Sequence, residues 1–364
     1  MRLVIDAREY TSSTGRYMFR LLEQLEKLDN QHDYTILLKP TDMEVYSFSN
    51  PRFTKVACPH KEFTFDEQTG FRKQLIGLKP DLVHFGMVQQ PIRYKGTVVT
   101  TIHDLTTVRF HNPAKNPIVF KLKQRVYRYV IKRAARKSSI VITPSNYVKE
   151  DVVRFTGIPV EKVVVTYEAA DLIPKHGEPV DALMHKEFIM YLGRPTPHKN
   201  LERLLDAFAL LQAQHPTLYL ALAGKKDANY QRIERLAQSK SLQNVIFTDF
   251  ITDQQLRWMY EHCSVYAFPS LSEGFGLPGL EAMAHGAPVV SSNATCLPEI
   301  YGQAAHYFDP LDTQAMANAI NDVLTNNSMR QQLIMAGRRQ AAQYSWQRMA
   351  EQTLTVYRKV LGEA

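Results

Sequence analysis

The sequence predicts an α/β protein made of two Rossmann-like domains that face each other across a cleft. Short apolar, β-rich runs alternate with helical segments from one end to the other, which implies mostly parallel sheets covered on both faces. The alternation is interrupted by a linker-like stretch, Glu168 to Pro179, where Pro174, Gly177 and Pro179 cluster. At 364 residues the chain is long enough for a full core in each half. The expected boundaries are residues 1–170 for the first domain and 171–345 for the second.

Composition narrows the class. Hydrophobic residues make up 45% and charged residues 22%, ordinary for a soluble globular protein. The start, Met1 to Asp6, meets a charge too early for a secretory signal. No run approaches the roughly 20 apolar residues of a spanning helix. Cys58, Cys263 and Cys296 are few, odd in number and far apart, which points to a reducing cytoplasm and away from structural zinc. The net charge of +8 is local, because Leu105 to Lys149 holds 11 Lys and Arg and no Asp or Glu, leaving −3 for the rest. One face, not the whole protein, is therefore set to meet anions.

In chain order, Leu3 to Ala7 reads as a buried first strand. Gly15 opens a helix carrying Tyr17, Phe19, Leu21, Leu22, Leu25 and Leu28. Tyr34 to Leu38, Phe53 to Ala57, Leu82 to Phe85 and Val98 to Ile102 read as further strands. His103-Asp104-Leu105 follows the last of these, at the strand end where such sheets bind ligands. A lone histidine is more commonly a structural hydrogen-bonder. Val119 to Lys137 reads as an amphipathic helix, with Val119, Leu122, Val126, Val130 and Ala134 on the face expected to pack. Lys121, Arg125, Arg128, Lys132 and Arg136 form a second face, roughly 140° round. Ser139 to Thr143 and Val163 to Thr166 complete this half.

The second half opens with the strand Phe188 to Leu192. Arg194 and Lys199 then stand between that strand and a helix beginning at Leu201. Arg binds an anion bidentately and Lys acts as a point charge, so the two suit a diphosphate. Leu218 to Ala223 and Val245 to Phe250 are strand–turn units, and Ser264 to Phe268 is another strand. After it comes Glu273-Gly274-Phe275-Gly276-Leu277-Pro278-Gly279-Leu280-Glu281. Pro278 sits where a first helical residue would, and Gly286 closes the helix. The free N–H groups and dipole of that helix start favour a phosphate or a sugar hydroxyl. Gly274 and Gly276 would let a ligand lie against the backbone. Glu273 and Glu281 can each accept two hydroxyl hydrogen bonds, which suits a hexose and a ribose. By spacing alone the stretch also fits an ordinary turn. Two helical stretches end the chain, Asp312 to Tyr344 with a break near Asn326, and Trp346 to Val360.

Ser272 to Ala284, reading Ser-Glu-Gly-Phe-Gly-Leu-Pro-Gly-Leu-Glu-Ala-Met-Ala, resembles the paired-glutamate signature of the retaining GT-B glycosyltransferases of family 4 (glycosyltransferase group 1). Gly193-Arg194 with Lys199-Asn200 resembles the family's donor motif, and His103-Asp104-Leu105 its H-D-L element. Pro144-Ser145-Asn146 is similar to a family helix cap, and Leu297-Pro-Glu-Ile-Tyr-Gly302 to a family turn. The likeness thus runs over nearly the whole chain, and among members it is to bacterial mannosyltransferases of surface polysaccharide synthesis. Family members carry two adjacent glycines before Arg-Tyr, where Ser13-Thr14-Gly15 stands here.

The resemblance implies a GT-B fold with an acceptor domain first and a nucleotide-sugar donor domain second. It also implies that the last helix, within 346–364, crosses back to the first domain. The implied reaction moves a hexose, with retention, from a nucleotide diphosphate sugar to a glycan or lipid-linked acceptor of the cell envelope. Mannose from GDP-mannose is favoured, with UDP-glucose or another UDP-hexose as the alternative. His103, Glu273, Arg194 and Lys199 would be catalytic. Gly15, Arg194, Lys199, Glu273, Gly274, Phe275, Gly276, Leu277 and Glu281 would hold the donor. Phe250 and Ile251 fall where relatives hold the base, and core packing explains them equally well. No metal or other cofactor is implied. The expected location is the cytoplasm, with residues 119–137 either resting on an anionic membrane surface or forming a solvated charged face.

Two other classes fit less well. A nicotinamide enzyme would carry a Gly-x-Gly-x-x-Gly turn after the first strand, where Arg8-Glu9-Tyr10 stands instead. A nucleic-acid binder could use the basic helix with Tyr127 and Tyr129, but no recognised binding fold surrounds it. No nucleic-acid partner is expected.

Overall fold

The computed structural model describes residues 1–10, 15–110 and 117–363, with the backbone alone over 117–121. The chain forms two compact units. One comprises Met1–Val108, Pro117–Glu168 and the C-terminal segment from Ser345, and the other Ala169–Tyr344 with the short segment that starts at Arg109.

The first unit is built on seven strands: β1 (Arg2–Asp6), β2 (Asp33–Leu38), β3 (Phe53–Ala57), β4 (Leu82–Phe85), β5 (Val98–Thr101), β6 (Ile140–Thr143) and β7 (Val163–Val165). Their spatial order is β3-β2-β1-β4-β5-β6-β7, and every pairing is parallel. The second unit has six: β8 (Phe188–Leu192), β9 (Tyr219–Ala223), β10 (Val245–Asp249), β11 (Val265–Phe268), β12 (Val289–Ser292) and β13 (Ala305–Phe308), in the order β10-β9-β8-β11-β12-β13, again all parallel. Every residue of β4, β6, β11 and β12 is buried, as expected where helices cover both faces. The predicted α/β class of two parallel sheets is therefore the observed one.

Each sheet reverses its strand order once, between β1 and β4 in the first and between β8 and β11 in the second. Loops leaving the carboxyl ends of strands on either side of such a point diverge and open a crevice. This places the loops after β8 and β11 together, and likewise those after β1 and β4. Strand β13 had no expectation behind it. It is a short edge strand paired to β12 alone, with two of its four residues half-exposed, so its apolar pattern is weak.

The helix Gly15–Leu28 buries Tyr17, Met18, Leu21, Leu22 and Leu25 and packs against Trp346–Leu361, which buries Trp346, Met349, Leu354 and Tyr357. The position after β1, where a dinucleotide fold would need glycine, is filled by a buried ion network. Arg8, 2% exposed, donates to Asp6 through Nε and Nη2, both at 2.8 Å, and to the His60 carbonyl at 2.8 Å. It also pairs with Glu67 at 3.2 Å and lies over the Phe71 ring.

The basic helix spans Pro117–Lys137; of its expected apolar stripe Ala134 is buried and Val130 half-buried, but Leu122 and Val126 are exposed and the buried face is turned toward Ile131 and Ala135. Ile131, Ala134 and Ala135 are fully buried, with Tyr127 packed beside them. Leu122 is 64% exposed, Val126 55% and Tyr129 59%. At 100° per residue the expected stripe is centred roughly 120° from the observed one. Ile131 and Ala135, with Tyr127 beside them, pack into the cluster formed with Val141, Val148 and Val152, which sets the buried face. Arg128 and Lys132 stand over the Phe155 ring at 5.2 and 5.1 Å, so two of the five expected surface cations are packed. The side chains of Val119 and Lys121 lie outside the described residues. Among the described residues, no helix is long and apolar enough to cross a membrane.

Candidate active site

The loops that leave β8 and β11, on the two sides of the second switch point, carry most of the sequence-predicted residues. After β8 the chain turns through Gly193 (φ +142°) into the short turn Pro197–Lys199 and then Asn200 at φ +61°. The Asn200 side-chain amide donates to the carbonyls of Pro269 (3.0 Å) and Pro310 (2.8 Å). The Leu271 amide donates to the His198 carbonyl at 2.7 Å. These bonds clamp the β8 loop to the β11 loop, and through Pro310 to the loop after β13, and hold Lys199 opposite Glu273. Lys199 Nζ lies 2.7 Å from Glu273 Oε1, with both side chains largely shielded from solvent. Its ammonium also sits 5.8 Å from the Phe268 ring centre.

Glu273 is held from its backbone too. Its amide donates to Thr295 Oγ1 at 3.1 Å, and its carbonyl accepts from the Cys296 thiol at 3.4 Å. Beyond it, Gly276 at φ +92° caps the helix Leu277–Ala284, with Pro278 in the first turn. A left-handed residue here demands glycine. The lack of a side chain also serves a packing role: a Cβ on Gly276 would lie 2.5 Å from the Tyr301 hydroxyl, and one on Gly279 2.3 Å from it. That hydroxyl donates to the Gly276 carbonyl at 2.6 Å. Tyr301 thus seats the whole loop, and the space freed at Gly276 is taken by protein. Phe275 is buried, with its ring edge-on to Tyr344 at 5.5 Å, and Glu281 is buried within the helix.

Arg194 is not brought to Lys199. Its side chain is 68% exposed and pairs with Asp227 at 3.3 Å, and Asp227 caps the helix Ala228–Ser239. Burial opposes ionisation of the Asp227 carboxyl, but the capping amides and Arg194 hold it below the usual carboxylate range. Phe250 follows β10 and is 76% exposed, so core packing does not explain it. Ile251 beside it is half-buried.

In the first unit, His103 follows β5 near the first switch point. Nδ1 faces Glu168 Oε1 at 3.2 Å and Nε2 faces the Gly86 carbonyl at 3.1 Å. Both partners are acceptors, an arrangement that favours a proton on each ring nitrogen. Burial alone would lower its pKa, but the hydrogen bond and charge of Glu168, with Asp104 and Gly86 behind them, hold it above the ordinary histidine value. The Tyr17 ring meets it edge-on at 4.8 Å, and the Tyr17 hydroxyl lies 3.0 Å from Thr101 Oγ1. Gly15 begins its helix where a Cβ would fall 2.0 Å from the Tyr10 carbonyl, and Ser13 and Thr14 before it lie outside the described residues.

Several residues that build the site were not singled out from sequence. Glu168 was read as linker, yet it is the buried partner of His103. Thr295 acts through a contact far along the chain that no local pattern announces, and Asn200 and Tyr301, although inside motif-like stretches, are assigned no role of their own by the sequence. Among the described residues, no cluster of three or more His, Cys, Asp or Glu side chains is suited to a metal ion.

Two doubly wound parallel sheets, one with a lysine, a carboxylate and a glycine-capped helix start gathered at its switch point, make up the architecture of the GT-B glycosyltransferases. The family follows from comparison of the sequence. The chain matches the model of glycosyl transferases group 1 over residues 176–340 and that of glycosyltransferase family 4 over residues 14–172. It is 32% identical over 276 residues to O-antigen chain mannosyltransferase B of Escherichia coli, covering 71% of this chain and 70% of that protein. The chain belongs to this family and is a glycosyltransferase. It is also 33% identical to the serotype-specific mannosyltransferase WbdA of Escherichia coli over 62% of this chain, a match that spans only 29% of that longer protein. Among solved structures, sucrose-phosphate synthase from Thermosynechococcus elongatus superposes over 100% of both chains with a TM-score of 0.79 at 21% identity, a likeness of fold.

Proposed function

We propose that the protein moves mannose from GDP-mannose, with retention of configuration, to a growing glycan or lipid-linked acceptor of a surface polysaccharide. The observation that carries the reading is the Lys199–Glu273 pair beside the glycine-capped start of the helix Leu277–Ala284. A cation, a hydroxyl acceptor and a helix N-terminus stand together there, which is what a sugar joined to a diphosphate requires. Mannose is favoured because the relatives at about a third identity are named as mannosyltransferases.

In this reading Lys199 and Arg194 neutralise charge on the departing diphosphate, the electrostatic contribution that is usually largest in such chemistry. Arg194 exchanges Asp227 for phosphate as it does so. Glu281 holds the ribose hydroxyls, and exposed Phe250 offers a face to the base. Glu273 and the amides of Gly274 to Leu277 grip the hexose. His103 brings positive charge beside the sugar and would donate to a sugar hydroxyl only by giving up its bond to Glu168 or to the Gly86 carbonyl. The bond from the sugar's anomeric carbon to phosphate oxygen breaks while the acceptor oxygen bonds to that carbon from the same face. The acceptor's proton passes to the departing phosphate. No metal is required where Lys199 and Arg194 carry this load. The exposed face of the helix Pro117–Lys137 rests on an anionic membrane surface at the inner side of the cytoplasmic membrane.

A donor screen tests the reading without knowledge of the acceptor. The purified protein is offered each nucleotide sugar, and binding and slow hydrolysis are measured. GDP-mannose is expected to bind tightest and to be the one hydrolysed. Preference for a UDP-hexose would overturn the donor assignment and leave the class intact.

A further inference from the structure

We propose that the first unit carries a second anion site, apart from the donor loops, which takes a phosphate monoester or diphosphate, free or on a lipid headgroup. It is an open cleft of about 400 Å³ lined by Arg72, Arg93, Lys95, Arg133 and Lys137 around Tyr94. The cations converge from three segments: the start of the helix Arg72–Leu78, the connection between β4 and β5, and the end of the helix Pro117–Lys137.

Among the described residues no carboxylate lines the cleft, and none is paired with these five cations. Some cations of the same unit are matched, as Lys39 is with Glu9 and Glu62 and Arg52 with Asp33, whereas the five here converge on one hollow without a counter-charge. Five like charges around one hollow repel one another, and a multivalent anion relieves that repulsion.

Two details separate the cleft from an ordinary solvated basic face. Arg72 Nε is buried and has no hydrogen-bond partner, although a guanidinium is built to fork onto phosphate oxygens. Lys137 is drawn in from solvent: its ammonium donates to the Pro91 carbonyl at 2.8 Å and lies 5.3 and 5.9 Å from the ring centres of Phe85 and Tyr94. Burial, with Arg133 alongside, pushes the Lys137 amine down to about 7. A dianion in the cleft would restore its proton. Arg93, Lys95 and Arg133 are exposed, so a ligand reaches the site from solvent.

The test uses inorganic pyrophosphate and the full chain, with Lys199→Ala as background so that the donor loops do not bind the probe. Calorimetric titration is expected to show binding that weakens at least roughly tenfold in Arg93→Gln/Lys95→Gln/Arg133→Gln, since each lost charged contact is worth a factor of that order. Limited acetylation near neutral pH, mapped by mass spectrometry, locates the ligand: pyrophosphate should protect Lys137, and the triple variant should lose the protection. Vesicles of phosphatidic acid in phosphatidylcholine form the second arm. Protection by vesicles alone assigns a lipid headgroup, and protection by pyrophosphate alone assigns a free phosphate. The proposal is overturned if neither probe protects Lys137, if the triple variant binds and is protected unchanged, or if sodium chloride at equal ionic strength protects as well. Each of these results is independent of the donor screen.

Discussion

Lys199 and Glu273 neutralise each other at 2.7 Å. Under the proposed function a diphosphate would compete with this carboxylate for the ammonium, and release of Glu273 would free both its oxygens for sugar hydroxyls. Losing one charged hydrogen-bond partner typically costs about 1.5–3 kcal/mol, or roughly 10- to 150-fold in rate. Lys199→Ala, Arg194→Ala and Glu281→Ala should each slow donor turnover by that order. Arg194→Ala should leave thermal stability unchanged, because its ion pair is exposed. Full turnover in Lys199→Ala would remove the phosphate role. His103 makes a second prediction. Its folded pKa is raised by Glu168 above an unfolded value near 6.5. The stability it contributes is then fully present below that unfolded value and is lost as pH rises through the folded one. Denaturant midpoints followed upward from about pH 6 should fall in the native protein, and the fall should shrink in Glu168→Gln. Equal slopes in the two proteins would exclude the charged pair.

At the scale of elements, the helix Leu277–Ala284 owes its position to one ring. Tyr301 touches the space beside both Gly276 and Gly279, so Gly279→Ala overpacks the seat of the loop and should lower stability by about 1–3 kcal/mol in chemical denaturation. The helix Pro117–Lys137 poses the opposite case, an element that leaves Leu122, Val126 and Tyr129 in water beside Lys123, Arg125 and Arg133. Apolar side chains among cations suit the interface of an anionic bilayer, where each Lys or Arg contributes up to about 1 kcal/mol. Co-sedimentation with vesicles should require anionic lipid and weaken as salt rises. Binding should drop both in Lys123→Gln/Arg125→Gln and in Leu122→Ser/Val126→Ser. Protein that stays in the supernatant with anionic vesicles at low salt would rule the membrane role out.

At the scale of the molecule, the chain leaves the first unit after Glu168 and returns to it at Ser345. The helix Trp346–Leu361 sends the Tyr357 hydroxyl to His84 Nδ1 at 2.5 Å, and His84 Nε2 meets Thr101 at 2.8 Å. Burial pushes His84 down to about 3, so it stays neutral and serves as a link between the last helix and the strands that carry His103. Transfer by the whole enzyme yields the remaining prediction. Proton NMR of the fresh product should show the anomeric configuration of the donor, and excess EDTA should leave transfer intact. An inverted product would mean a different mechanism, and loss of activity in EDTA would put a metal in the site.

Sequence alone determined the elements and the loops that carry chemistry, because both depend on neighbours. Strand runs such as Phe53–Ala57, Leu82–Phe85 and Phe188–Leu192 coincide with observed strands, and Phe188–Leu192 is plainest because a strand covered on both faces is apolar without a break. The helix start at Leu277 was marked by the proline and glycines its backbone requires. Tertiary packing decided the rest. Which face of the helix Pro117–Lys137 is buried depends on what packs against it, and Ile131, Ala134 and Ala135 went in while Leu122 and Val126 of the expected stripe stayed out. Glu168 became the partner of His103 over 65 residues of chain, and Tyr301 the support of Gly276 over 25. Five cations formed an acid-free cleft from three separate segments. A periodicity records what a residue needs of its own element, and these contacts exist only once the sheet order has brought distant loops together.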